Sequence, residues 1–419
     1  MRPDPIASSF FVDNRQALMR KLDADSLVLM RSANVMVQGG DMQYPFRQDA
    51  DFFYYTGIEA PGCSLLLVPE NGGEPETILF IPPVDAEKER WEGKMLDKEK
   101  ARELSGIEAV RYTAEFLPAL FKYQKWRENL YCEVNDLFPA QALSPNHLLL
   151  QDLARRLPGL RFRKLHRLTS YQRLKKKPVE LERLRRSIEI TKEALERSLR
   201  RLKPGIMEYR IEAELYYHYT NQGCLRPGFD AIVAGGGNAT CLHYTENGSE
   251  LREGDLVLID TGGAYGGYSG DITRTFPVSG KFSRRQRHCY RAVLDVQKTF
   301  VPKIELGKTW RELLRTAEEI TGEIYADYRL IREPREHKKV SCHRIGHFLG
   351  LDIHDVGNLD WPLEPGAVVT VEPGLYLAEE GMGIRIEDDF LLTETGTENL
   401  SRDIVKEIDE IERQTELDP

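Results

Sequence analysis

Two stretches of this chain set acidic residues inside apolar, strand-like runs. In Leu256-Val-Leu-Ile-Asp260-Thr-Gly-Gly-Ala-Tyr265-Gly266-Gly-Tyr-Ser-Gly-Asp271-Ile-Thr-Arg-Thr275, two such runs flank a Gly-rich turn. A hairpin symmetric about Tyr265-Gly266 places Asp260 opposite Asp271. Facing Cβ atoms lie about 4.5–5.5 Å apart, and like charges there repel. Both acids can ionise only with a cation between them; otherwise one holds a proton. The second stretch, Thr370-Val-Glu372-Pro-Gly-Leu-Tyr376 through Gly383-Ile-Arg385-Ile-Glu387, repeats the arrangement. A hairpin centred on Glu379-Glu380 places Glu372 opposite Glu387, and a bulge near Gly381 or Gly383 would shift that register.

Between the hairpins lies His343-Arg-Ile-Gly-His347-Phe-Leu-Gly-Leu-Asp-Ile-His354-Asp355, with three of the chain's 9 histidines. His343 and His347 are four apart, as in H-E-x-x-H zinc peptidases. Arg344 stands where that mechanism needs its glutamate, which excludes it. Four carboxylates and one imidazole make an oxygen-rich donor set. It suits Mn²⁺ and can also hold Co²⁺, Fe²⁺ or Zn²⁺. Four formal negatives balance two divalent ions. Two such ions about 3.5–4 Å apart bridge a water, lower its pKa and polarise a carbonyl. The competing reading, separate surface ion pairs, is disfavoured by two opposed acidic hairpins within apolar strands.

The frame that must hold these groups spans 419 residues, enough for two domains. We divide it into residues 1–168 and 169–419. In the first part, Ser26–Arg31, Cys63–Pro69, Glu76–Ile81 and Leu130–Val134 read as strands. Asn14–Leu22 and Asn146–Leu157 read as helices opened by Asn caps. This is an α/β domain, and it has neither a G-x-G-x-x-G after a strand nor a Walker loop to support nucleotide binding. A basic junction, Lys175-Lys176-Lys177-Pro178, follows, with Pro178 suited to a first helical turn. Leu181, Leu184, Ile188, Leu195, Leu199 and Leu202 then recur at helical spacing up to Pro204-Gly205, with Arg and Lys on a solvated opposite face. A helix over Glu208–Gln222 and capping boxes at Ser283 and Thr309 supply three more helices. Strand-like runs cover Leu256–Asp260, Asp271–Phe276, Val368–Glu372 and Ile384–Leu392. The tail from Asp403 is charged and reads as frayed.

The net charge is −9, yet residues 155–210 hold 19 Lys/Arg against 6 Asp/Glu. A nucleic-acid binder carries the opposite global sign, so no nucleic-acid partner is expected. No apolar run reaches the ~18 residues of a membrane helix, and Met1-Arg2-Pro3-Asp4-Pro5 begins no signal peptide. We therefore expect a cytoplasmic protein without a membrane partner. Six cysteines without a C-x-x-C pair read as small buried hydrophobes.

At the residues just described the sequence resembles the pita-bread metallopeptidases, and within them the Xaa-Pro aminopeptidases (aminopeptidase P). The matching segments are His243-Tyr-Thr-Glu-Asn247, Asp260-Thr-Gly, Gly270-Asp271-Ile-Thr-Arg-Thr, Gly346-His347 through His354-Asp355, Val371-Glu372-Pro-Gly-Leu-Tyr376 and Gly383-Ile-Arg385-Ile-Glu387-Asp388. The N-terminal segment Tyr44-Pro-Phe-Arg47 through Thr56-Gly57 matches as well, so the resemblance spans nearly the whole chain. It implies an α/β N-terminal domain followed by an α+β pita-bread catalytic domain with pseudo-two-fold halves. It implies two divalent ions, most often Mn²⁺, held by Asp260, Asp271, His347, Glu372 and Glu387. The implied reaction releases the N-terminal residue from peptides with proline second, by attack of a metal-bridging hydroxide. His243 and His354 would contact substrate and the developing oxyanion, and Glu372 would shuttle a proton. His343, Tyr376 and Arg385 stand as second-rank or substrate-contacting candidates, with a structural role for His343 equally open. The family also implies a homo-oligomer, a dimer or tetramer, in which a neighbour's aromatic residue reaches the site; Trp91 is the match here, against a core tryptophan. Two loops, His354–Glu364 and Tyr376–Ile384, are shorter than in some members, so the resemblance does not extend to preferred peptide length. The alternatives are a prolidase, which accepts only Xaa-Pro dipeptides, and a non-catalytic pita-bread scaffold.

Overall fold

In a computed structural model, residues 2–70, 74–133 and 145–416 are described. The chain forms two compact units, Pro5–Arg173 and Leu174 onward, the latter including the N-terminal stretch to Asp4. Among the described residues no helix is long and apolar enough to cross a membrane.

The first unit is built on a six-stranded mixed sheet. Its order is Ala109–Tyr112, Glu76–Ile81, Ser64–Val68, Ser26–Arg31, Asn129–Cys132, Arg161–Lys164. The central strands are apolar on both faces, as helix-covered strands are, and Leu27, Leu29, Leu66, Ile78, Phe80 and Leu130 form the core. The first helix, Ser8–Met19, begins well before Asn14, which is not its cap. Asn14 is instead buried and donates from Nδ2 to Tyr54 O at 2.8 Å. Helix Pro145–Arg156 likewise starts one residue before Asn146. Val134, at the end of an expected strand, lies outside the described residues. Trp91 sits on helix Ala86–Glu92 and is 85% exposed, so it is not a core residue.

The second unit contains a structural repeat. Helices Pro178–Leu199 and Glu208–Asn221 precede the sheet of Ile232–Gly235, Leu256–Thr261 and Ile272–Pro277. Helices Arg284–Phe300 and Trp310–Asp327 precede the sheet of Val368–Val371, Asp388–Thr393 and Gly396–Asn399. Pro178 occupies the first turn as expected, and both Ser283 and Thr309 close reciprocal capping boxes. The helices turn their apolar stripes onto the sheets, placing Ile188, Leu195, Val293, Leu313, Ile259 and Val369 in one core. The basic face of the first of these helices is not wholly solvated: Arg183 is buried, and so is Lys176 just before the helix. The tail is not frayed throughout, because Ile408–Glu416 is a helix that buries Ile408 and Ile411.

Candidate metal centre

The first acidic hairpin turns at Gly266 and Gly267, both with positive φ (61° and 89°), a backbone that glycine adopts without steric cost. The turn lies one residue later than a hairpin symmetric about Tyr265-Gly266. Asp260 therefore faces Thr273, and Asp271 sits beyond Ile272, which pairs with Thr261. The expected direct opposition is corrected to a diagonal one. A two-residue register shift preserves the face, so both acids still point the same way.

The second hairpin keeps the expected register. Gly374 pairs with Arg385 and Leu377 with Met382; farther out, Val371 pairs with Asp388. Glu372 and Glu387 occupy the facing positions between these two ladders. Pro373, with no N–H to donate, interrupts the pairing, though its carbonyl still accepts from Ile386 N at 3.3 Å. Gln297 Nε2 fills the gap, donating to Val371 O (3.1 Å) and Ile386 O (3.2 Å). Glu387 N instead donates to Thr273 O at 3.0 Å. Arg274 Nη1 donates to the carbonyls of Thr273 (2.9 Å) and Glu387 (2.5 Å). Those bonds join the two hairpins edge to edge and bring Asp260, Asp271 and Glu372 within electrostatic reach of Glu387.

The His347 segment closes over them. His347 Nε2 lies 3.4 Å from Asp271 Oδ2 and 3.6 Å from Glu372 Oε1. Its Nδ1 lies 2.9 Å from Phe348 O, and a carbonyl only accepts, so the proton sits on Nδ1 and Nε2 faces the acids. Donor atoms of Asp271, His347 and Glu387 all lie within 4.8 Å of one another. Asp260 Oδ2 accepts from Arg385 Nη2 at 2.5 Å, while its Oδ1 is buried without a partner. Thr273 Oγ1 donates to Glu387 Oε2 at 2.6 Å.

This concentration of buried acids shows in their protonation. Burial, opposed by Arg385 and aided by Asp271, pushes Asp260 up to about 6. Burial, opposed by His347 and Arg385, pushes Glu372 up to about 7. Burial and then Asp271 hold Glu387 well above the carboxylate range. Burial works against the His347 imidazolium, but Asp271 and then Glu372 raise it to about 9. The site carries more buried negative charge than Arg385 and His347 neutralise. Its orphaned Asp260 oxygen and its O/N donor chemistry fit divalent cations.

Around this group, Arg385 Nη1 donates to Tyr376 OH at 3.1 Å, and Tyr376 OH lies 2.8 Å from His343 Nε2. His343 Nδ1 faces Arg344 O at 2.8 Å and lies 3.6 Å from Glu372 Oε2. Burial, then Arg385, lowers His343 to about 4, so the neutral ring accepts from Tyr376. His354 packs its ring against His347, with centroids 4.3 Å apart. His243 is exposed, as is His354, and perturbs the titration of both His343 and His354. The loop carrying His243 is anchored by Glu208. That buried carboxylate accepts from Gly235 N, Asn238 Nδ2, Tyr244 OH and Ser249 N, all at 2.8–3.0 Å. Trp91 belongs to the first unit.

Sequence reasoning missed Asp389. It is fully buried, accepts from Asp271 N at 3.1 Å, and leaves Oδ1 without a partner. Its signal was its place beside Glu387-Asp388 in an apolar strand. Thr273 and Glu208 were also missed, since a threonine in a strand and a glutamate in a helix carry no local mark of function.

Residues 182–394 match metallopeptidase family M24, and residues 11–131 match the aminopeptidase P N-terminal domain. Xaa-Pro aminopeptidase of Escherichia coli K12 is 35% identical, over 97% of each chain. That of Haemophilus influenzae is 35% identical, over 96% of each. Among solved structures, zinc-substituted E. coli aminopeptidase P in complex with product superposes with TM-score 0.90 at 33% identity, covering 99% of this chain and 100% of the other.

Proposed function

The chain belongs to metallopeptidase family M24, with an aminopeptidase P N-terminal domain ahead of the catalytic segment, and we propose how its acidic cleft carries out the reaction. It is a metal-dependent aminopeptidase of the Xaa-Pro type. In this reading residues 1–168 form the N-terminal domain and residues 169–419 the pita-bread catalytic domain. Asp260, Asp271, His347, Glu372 and Glu387 would hold two divalent ions, Mn²⁺ by preference. The single observation that carries this is the convergence of Asp271, His347 and Glu387, whose donor atoms lie within 4.8 Å of one another, with Glu372 Oε1 3.6 Å from His347 Nε2. Such a pair of ions supplies an activated water and a Lewis acid for the scissile carbonyl.

The chain's own residues do the rest. Glu372 is open to solvent at 17% of its side chain, next to His343 and His347, and takes and returns a proton at its carboxylate. The bond before proline is a tertiary amide, whose nitrogen must be protonated to leave; Glu372 delivers that proton. His243 and His354, both exposed, donate hydrogen bonds to the substrate carbonyl as negative charge develops on its oxygen. Arg385 holds Asp260 with Nη2 and Tyr376 with Nη1, so one guanidinium orients an acid and the Tyr376–His343 pair.

The expected partners are proline-containing peptides and further copies of this chain, with no nucleic acid and no membrane. Trp91, exposed, is the aromatic residue proposed to reach a neighbouring copy's site. A reducing, cytoplasmic setting fits six free thiols, of which only Cys241 and Cys342 are exposed. Assaying Xaa-Pro dipeptide, Xaa-Pro-Pro peptide and Xaa-Ala-Pro peptide tests the specificity. Release of the first residue from the Xaa-Pro-Pro peptide but not from the Xaa-Ala-Pro peptide is expected; cleavage of the dipeptide alone would make the chain a prolidase.

A further inference from the structure

The Lys175-Lys176-Lys177-Pro178 junction has no part in the mechanism so far, and one of its lysines is not on the surface. The Lys176 side chain is 1% exposed, and its Nζ donates to Asp355 Oδ2 at 2.9 Å. The Asp355 side chain is equally hidden at 1%, and Asp355 directly follows His354. A buried ion pair costs desolvation on both sides, so its presence beside a functional histidine asks for a reason other than stability.

The reason lies in how His354 is held. Among the described residues its imidazole makes a ring contact with His347 and no hydrogen bond. Its place is therefore set by the backbone that carries it. That backbone is a closed loop: Asp355 N donates to Phe348 O at 2.9 Å, and Gly350 N to Asp352 O at 3.1 Å. The Asp355 carboxylate folds back across this loop. A Cβ on Gly350 would lie 2.1 Å from Asp355 Oδ2 and 2.8 Å from Lys176 Cε, so only glycine leaves room for the pair. Lys176 is itself fixed, its N–H donating to Gly366 O at 2.8 Å. Four residues on, buried Glu180 accepts from Lys177 N (2.8 Å) and from Tyr268 OH (2.9 Å). Tyr268 is at the tip of the hairpin that bears Asp260 and Asp271. One five-residue segment thus grips both the histidine loop and the acidic hairpin.

We propose that Lys176 is a positioning residue, which through Asp355 fixes the loop bearing His354 against the acidic hairpin. This rests on the reading of His354 as a hydrogen-bond donor to the reacting carbonyl.

The test uses the full-length, Mn²⁺-loaded enzyme and the paired variant Lys176→Met/Asp355→Asn, which removes both charges of the pair. Lys176→Met alone takes the ammonium away from buried Asp355 and is expected to unfold at lower temperature; the paired variant should regain most of that loss. The paired variant should keep the parent's metal content and KM, and lose about 10- to 100-fold in kcat, the range found when groups orienting a site residue are removed. In a His354→Ala background the same pair of changes should cost nothing further in kcat. A full kcat in the paired variant, or an equal loss with and without His354, would overturn the positioning role. If His354→Ala alone leaves kcat intact, the assignment of His354 fails, and the positioning role falls with it.

Discussion

Stripping the divalent ions with a chelator should load the acidic site with protons, and restoring them should expel those protons. The number follows from the site. At pH 6.5 the metal-free enzyme holds one proton on His347, raised to about 9, while burial and then Asp271 favour a proton on Glu387. With Glu372 near 7 and Asp260 near 6, these two together hold about one more at that pH. Mn²⁺ needs every donor deprotonated, so its binding at pH 6.5 should release about two protons per chain from His347, Glu372 and Asp260, and more from Glu387. By pH 8.5 Glu372 and Asp260 have already ionised, and the release should fall by about one. Calorimetric titration of metal-free enzyme with Mn²⁺, in buffers of different ionisation enthalpy, gives the count as the slope of observed heat against buffer heat. A release below one proton at pH 6.5, or one unchanged at pH 8.5, would refute the view that these acids share a single uncompensated site.

The same groups set the stability of the metal-free protein. Between pH 4.5, the ordinary value, and about 7, folded Glu372 holds a proton that the unfolded chain has lost, and His347 does the same between 6.5 and about 9. Metal-free stability should therefore fall as pH rises through this window. The Glu372 contribution is about 3 kcal/mol, and urea midpoints of the Mn²⁺-loaded protein should lack this fall. Glu208→Ala removes the acceptor of four hydrogen bonds beneath the His243 loop. It should cost about 3 kcal/mol by urea unfolding and lower kcat, with metal content unchanged.

The acidic core of the site was legible because its signals are local. Carboxylates inside apolar strands, separated by glycine turns, have few outlets other than a cation. The Glu372–Glu387 register could be read directly, since a short turn closes it symmetrically. The Asp260–Asp271 register slipped because either Tyr265-Gly266 or Gly266-Gly267 can make a tight turn, and only packing selects the second. The error left function readable, because a two-residue slip keeps the face. Arg385 and Asp260 lie 125 positions apart. Lys176 and Asp355 lie 179 apart. No periodicity links residues so distant, so Lys176 read only as part of a basic junction. Asn14 misled for a related reason: a good capping residue was taken into the core by a tertiary acceptor, Tyr54 O.

The central claim is that four carboxylates and His347 act together to hold the ions on which hydrolysis depends. Enzyme freed of metal should be titrated with Mn²⁺ while bound metal and cleavage of an Xaa-Pro-Pro peptide are measured on the same samples, for the parent and for Asp271→Asn. Activity that is absent without metal, rises to a plateau at two ions per chain, and is lost together with tight metal binding in Asp271→Asn is the predicted result. Full activity without metal, or Asp271→Asn that binds and cleaves like the parent, would contradict the account.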